Sequence, residues 1–188
     1  RDAAFSFCYP ANRRLLQEMG AELVDFAPVA GEGLPAGADA IYLPGGYPEL
    51  HAEPLAANTG LWAELADFVD GGGPVLAECG GMLPLFEVLE DETGAGHAGA
   101  GILPGRVRLA DRLQGLGMQS VDLGSGELRG HTFHYTTVEG GPEPGLHAER
   151  QRGSRPGEPI HHRGGLTASY LHFHFASNPA AAAALLGG

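Results

Sequence analysis

Gly71-Gly72-Gly73-Pro74-Val75-Leu76-Ala77-Glu78-Cys79-Gly80-Gly81-Met82-Leu83 is the stretch whose reading decides the fold. Pro74 to Ala77 is an apolar run of strand length, and Gly80-Gly81 follows the cysteine at once. Met82, Leu83, Leu85, Phe86 and Leu89 then form an apolar set that one face of a helix can bury. A strand, a sharp turn and a helix with a thiol at the apex is the layout of a nucleophile elbow. Glycines suit that turn, because the backbone is strained and its neighbours approach closely. Amides at the start of the expected helix aim positive charge at the sulfur, which predicts a low-pKa, reactive Cys79. The plainer alternative is a structural cysteine, since free cysteine is among the most buried residue types.

Outward from this point, the first ninety residues alternate. Asn12 is placed to cap a helix running through Met19, and Glu22 to Phe26 alternates as a strand. Ala40 to Leu43 reads as a second strand entering Pro44-Gly45-Gly46-Tyr47-Pro48-Glu49-Leu50. Leu61, Leu65, Phe68 and Val69 have helical spacing and lead back to the strand before Cys79. Such alternation predicts an α/β fold, with a mainly parallel sheet, helices on both faces and a smaller antiparallel portion. Ligands of these sheets lie beyond the carboxyl ends of the strands, which brings Gly45-Gly46 and Cys79 to one crevice. Downstream, Arg106 to Leu109, Gln119 to Leu123, Glu127 to Tyr135 and Leu166 to Phe175 read as strands. Gly140 to Gly165 reads as a loop, either a lid or a surface excursion, and Asn178-Pro179 opens a last helix. Residues 1–188 show no internal boundary.

The chain has 188 residues and a formal net charge of -12, so it offers no basic footprint for nucleic acid. Its two cysteines are too few for a disulfide framework and fit a cytoplasmic setting. No apolar run is long enough to span a membrane. All 11 basic residues are arginine, which excludes a lysine-bearing Walker A loop within this sequence.

A cysteine nucleophile needs a base, and nine histidines are available. On a strand, His172 and His174 share one face while Phe173 and Phe175 share the other. His-x-His is also a usable pair of metal ligands, with His131 and His134 to complete a site, but no spacing here is a dedicated metal signature. The amides of Gly80 and of Gly46 or its neighbour Tyr47 are candidates to hold a tetrahedral oxyanion and bind substrate.

Ala77-Glu78-Cys79-Gly80-Gly81, Leu43-Pro44-Gly45-Gly46-Tyr47-Pro48-Glu49-Leu50 and Ser169-Tyr170-Leu171-His172-Phe173-His174-Phe175 resemble segments of the cobyrinate (or hydrogenobyrinate) a,c-diamide synthases. The similarity is to their C-terminal glutamine amidotransferase domain, of the triad-type, class I family with a flavodoxin-like sheet. Asp2 to Asn12 and Arg129 to Tyr135 resemble further segments of that family. The resemblance implies that Cys79 attacks the glutamine side-chain amide and that His172 raises its nucleophilicity. It implies an N-terminal ATP-binding domain in the same chain, where ATP and Mg²⁺ activate the a and c acetates of a corrin acceptor. It also implies a short apolar strand just upstream of Arg1. No metal is assigned to this portion, and a homodimer is left open. Many triad glutaminases place a glutamate two residues after the histidine; here that slot holds His174. Thr132 stands where the family commonly has glutamate, and Cys8 where it commonly has tyrosine. Tyr47, Glu49 and His131 are positional candidates for the amino acid end of glutamine. Two other readings stay open, an amidotransferase with another carboxylate acceptor and a binding-only domain.

Overall fold

Val75 to Glu78 are buried without exception, as a strand covered on both faces must be. In the computed structural model, which describes residues 2–188, this strand is the centre of the molecule. In chain order the first elements are α1 (Pro10–Glu18), β1 (Ile41–Leu43), α2 (Ala52–Ala57), α3 (Thr59–Asp70), β2 (Val75–Glu78) and β3 (Phe86–Glu90). Next come β4 (Gly96–Ala98), β5 (Leu103–Leu109), β6 (Gly115–Asp122), β7 (Glu127–His134) and β8 (Thr136–Glu139). The last are β9 (Leu146–His147), β10 (Glu149–Arg150), β11 (Pro159–Arg163), β12 (Leu166–Ser169), β13 (His172–Phe173) and α4 (Pro179–Ala184).

The main sheet has the order β1-β2-β12-β11-β9. β2 pairs in parallel with β1 and with β12, in register Leu43↔Ala77 and Ser169↔Glu78. The strand period sorts its side chains. Val75 and Ala77 join Leu61, Trp62, Leu65 and Val69 of α3 in one apolar core, while Leu76 joins Leu16, Phe173, Phe175 and Ala181 in the other. Helices therefore cover both faces, as expected. The α/β class stands, but the antiparallel portion is larger than the sequence suggested: β10-β6-β7-β13 and β4-β3-β5-β8 form two further sheets, and only β3 and β5 pair in parallel there. Among the described residues, no helix is long and apolar enough to cross a membrane.

Four local expectations are corrected. The segment after Cys79 is a 3-10 helix, Cys79–Leu85, followed by strand β3. Pro84 inside it has no amide to donate, and all seven residues are buried, so the apolar spacing never becomes a one-sided stripe. Glu22 to Phe26 forms no strand; a groove of about 610 Å³ is lined both by this segment and by Ile41 and Tyr42 of β1. Gly140 to Gly165 is neither lid nor loose excursion, because β9 and β11 extend the main sheet and β10 pairs with β6. The Leu166 to Phe175 strand breaks in two, and β13 crosses to pair with β7.

Asn12 is not a cap either. Pro10 begins α1, and Asn12 lies inside it, buried. Its Nδ2 donates to Phe173 O at 2.8 Å, and its Oδ1 accepts from Phe175 N at 3.2 Å. These bonds seat the segment carrying His172 and His174 on α1. Asn12→Ala leaves a buried carbonyl and a buried amide unpaired, and is expected to destabilise folding by about 2–4 kcal/mol. Urea titration measures this as a lower midpoint with an unchanged slope.

Candidate active site

Three strand ends build the site. β1 ends at Leu43 and delivers Gly45-Gly46, β2 ends at Glu78 and delivers Cys79, and β12 ends at Ser169, three residues before His172. Cys79 has φ 47°, and among the described residues it is the one non-glycine with positive φ. This left-handed turn at a strand end is the backbone geometry expected of a nucleophile elbow, here entering a 3-10 rather than an α-helix. Gly80 packs backbone against backbone: a Cβ there would lie 2.3 Å from Gly46 O and 2.7 Å from Gly46 N. Gly45 is needed for a different reason, since a Cβ on it would lie 2.4 Å from the His172 ring.

His172 is 3% exposed and its Nδ1 has no hydrogen-bond partner. Rings hold it instead. His131 stacks on it with centroids 5.0 Å apart and planes 12° apart, and Tyr9 meets it edge-on at 5.8 Å. Tyr9 Oη also lies 3.2 Å from His131 Nε2. His174, expected on the same face, is exposed and opens a 3-10 turn, because β13 ends at Phe173. His134 turns away from the histidine pair, stacking on Tyr170 with Nδ1 on Thr136 O at 2.8 Å. The four histidines considered as metal ligands therefore do not converge. Among the described residues, no group of three or more potential ligands does so.

The electrostatics differ from the sequence expectation. Burial pushes the Cys79 thiol up to about 12; the Gly80 amide acts in the opposite direction, while the charges of Glu49, Glu78 and Glu158 add to the rise. Burial also lowers His172 to about 4, with His131 and His134 contributing. At neutral pH the pair is thiol and neutral imidazole, not thiolate and imidazolium. Cys79 Sγ is turned to Phe133 O, 3.8 Å away on β7.

The sequence reading missed several residues. Glu158 accepts from Thr132 Oγ1 at 3.1 Å, its amide donates to Gln119 Oε1, and it lies 3.3 Å from His134 Nε2. Thr132 thus points into a buried polar network, though it stands where the family commonly has glutamate. Glu78 was quoted only as part of a motif; it is fully buried and hydrogen-bonded on both oxygens. Of the positional candidates, Tyr47 is 43% exposed against Phe7, whereas Glu49 is buried with no partner on Oε2.

Residues 1–180 match the CobB/CobQ-like glutamine amidotransferase domain. The chain belongs to this family. It is 49% identical over 186 residues to a hydrogenobyrinate a,c-diamide synthase from Pseudomonas aeruginosa, covering 99% of this chain and 42% of that protein. It is 43% identical to a cobyrinate a,c-diamide synthase from Herminiimonas arsenicoxydans, covering 97% of this chain and again 42% of the relative. The chain thus spans about two-fifths of the length of these relatives. A crystal structure of a glutamine amidotransferase has a TM-score of 0.56 over 95% of this chain and 93% of that one. At 18% identity that likeness speaks for the fold. The class I amidotransferase fold that the resemblance implied is the fold the chain has.

A neutral thiol alkylates only through its small thiolate fraction. Iodoacetamide is therefore expected to modify Cys79 at a rate that climbs with pH through pH 9 without a plateau, and more slowly than the less buried Cys8. The sequence reading implies the opposite order. A plateau below pH 8, followed by mass spectrometry of the alkylated peptide, would show that the thiolate already exists in the resting site.

Proposed function

We propose that this domain is the glutaminase of an ATP-dependent amide ligase, supplying ammonia for the a and c acetates of cobyrinate or hydrogenobyrinate. The observation that carries this reading is the left-handed Cys79 at the end of a buried parallel strand, with the Gly45-Gly46 loop packed against both Gly80 and the His172 ring. The names of the relatives supply the acceptor class, since they are synthases of a,c-diamides of this macrocycle.

Cys79 Sγ adds to the side-chain carbonyl carbon of glutamine while the neutral His172 imidazole takes the thiol proton. The oxyanion rests on the amides at Gly80 and Gly46 or Tyr47. Collapse of the intermediate breaks the carbon–nitrogen bond, and His172 returns its proton to the leaving nitrogen as ammonia. Water then attacks the thioester, releasing glutamate and restoring the thiol. The buried Glu49 carboxyl, whose Oε2 has no partner among the described residues, suits the α-ammonium of glutamine, because a buried carboxylate oxygen without a partner is costly until a cation arrives.

The acceptor, ATP and Mg²⁺ are assigned to the ATP-binding portion that the relatives' length leaves room for. Exposed Phe133, whose carbonyl lies 3.8 Å from the thiol, its cross-strand neighbour Leu116, Met118 opposite His131, and Phe7 and Tyr47 on the His172 side suit a partner domain that closes the site.

In the full-length enzyme, Cys79→Ser is expected to lower glutamine-dependent amidation on the order of 10³-fold or more. Amidation from added ammonium should persist. Loss of both activities would contradict the division of labour, and retention of both would remove Cys79 from the chemistry.

A further inference from the structure

Glu78 is adjacent to the nucleophile yet takes no part in the scheme above. As the last residue of β2 it lies on the Leu76 side of the sheet, 0% exposed. Its Oε2 accepts from Tyr42 Oη at 2.6 Å, and its Oε1 accepts from Phe173 N at 2.9 Å. Phe173 immediately follows His172, so this bond grips the peptide that joins them. Asn12 and Arg129 hold the chain beyond it, through Phe173 O, His174 N and Phe175 N, so Glu78 is the side chain that fixes the peptide directly after the histidine. β13 is two residues long, pairing only His172 with His131 and Phe173 with Gly130. The imidazole has no hydrogen-bonded carboxylate to orient it, since Nδ1 is unpartnered and the expected glutamate slot holds the exposed His174.

We propose that Glu78 is the positioning residue of the Cys79–His172 pair, holding the histidine's main chain in place of a third triad member that would hold its ring. Glu78 is one peptide bond from Cys79, so the nucleophile and the base share a single short mechanical link. A carboxylate suits this role because it presents two oxygens to two buried donors at once. Burial raises Glu78 to about 8, with the bonds from Tyr42 and Phe173 pulling it back down. The proposal deepens the amidotransferase reading and rests on it.

The test uses the full-length enzyme with glutamine or ammonium as nitrogen donor. Glu78→Ala releases the His172–Phe173 peptide and is expected to lower glutamine-dependent kcat roughly 10²-fold, the size of effect that displacement of a catalytic group by about 1 Å produces. KM for glutamine and ammonium-dependent kcat should stay as they are. Glu78→Gln keeps an acceptor for Phe173 N–H and should recover most of the loss. Glu78→Asp keeps the charge but retracts the carboxylate by one methylene, and should not. If Glu78→Ala does not fold, the order of Gln and Asp still decides. Asp above Gln would mean a charge effect and overturn the proposal, as would equal losses with both nitrogen donors. Cys79→Ser is run alongside. If it loses glutamine use while Glu78→Ala keeps it, the positioning role alone fails; if it keeps glutamine use, the amidotransferase reading beneath it fails.

Discussion

A left-handed backbone at a residue with a side chain is the constraint on which the rest depends. Such a conformation costs about 1–3 kcal/mol and persists only where its surroundings leave no alternative. Around Cys79 they leave none. β2 is held in register by β1 on one side and β12 on the other up to Glu78. Immediately past the turn, Gly80 lies flat against Gly46, with no room for a methyl group between them. Removing either support would let the turn relax to an ordinary conformation, and the thiol would leave the crevice. The glycines of the two loops are thus one device: they let two strand ends approach closely enough to make the strained conformation the available one.

The strain sets the position of the sulfur, but burial sets its chemistry. Three carboxylates, Glu49, Glu78 and Glu158, act on the thiol and all disfavour its anion, in a chain of net charge -12. The glycine turn and the Gly80 amide favour the anion, yet burial outweighs them. A resting thiolate is therefore disfavoured for a physical reason, and in the proposed scheme the nucleophile forms as its proton moves to His172. In that scheme glutamine changes the balance in two ways. Its α-ammonium can compensate a carboxylate such as Glu49, and its carbonyl receives the negative charge next to backbone amides instead of leaving it on sulfur.

What the sequence made legible follows from local physics. The elbow strand, the amphipathic α3 and the helix opening at Asn178-Pro179 are short-range features, and the structure has all three. Asn178 Oδ1 accepts from Ala181 N as a cap should. Long-range features stayed hidden. Nothing near Asn12 signals a bond across 161 residues to Phe173. Glu158, in a run of prolines, arginines and glycines, gives no sign that it folds into a buried network with Thr132 and Gln119. The helix expected after Cys79 failed where two local signals competed: the apolar spacing favoured a helix, Pro84 opposed it, and pairing of Phe86 to Leu89 with β5 settled the outcome. His172 was found through its motif, but its isolation from His174 depends on where β13 stops, which a period of two does not encode.

The depressed basicity of His172 bears on when the site works. Lowering an imidazole from its ordinary value to about 4 makes the imidazolium roughly 3 kcal/mol harder to form at this position. In an empty site nothing offsets that penalty, because the charge on sulfur that would attract the imidazolium is itself disfavoured by burial and by three carboxylates. The two penalties cancel only when both charges form together, close to one another and in a space from which water is excluded, where their attraction is strongest. Exposed Phe133 and Tyr47, on β7 and in the loop after β1, leave a surface on which such a cover could rest. In the proposed scheme, covering the mouth of the site strengthens the attraction between the charges that turnover must create, so closure of the site and formation of the nucleophile are favoured by the same event.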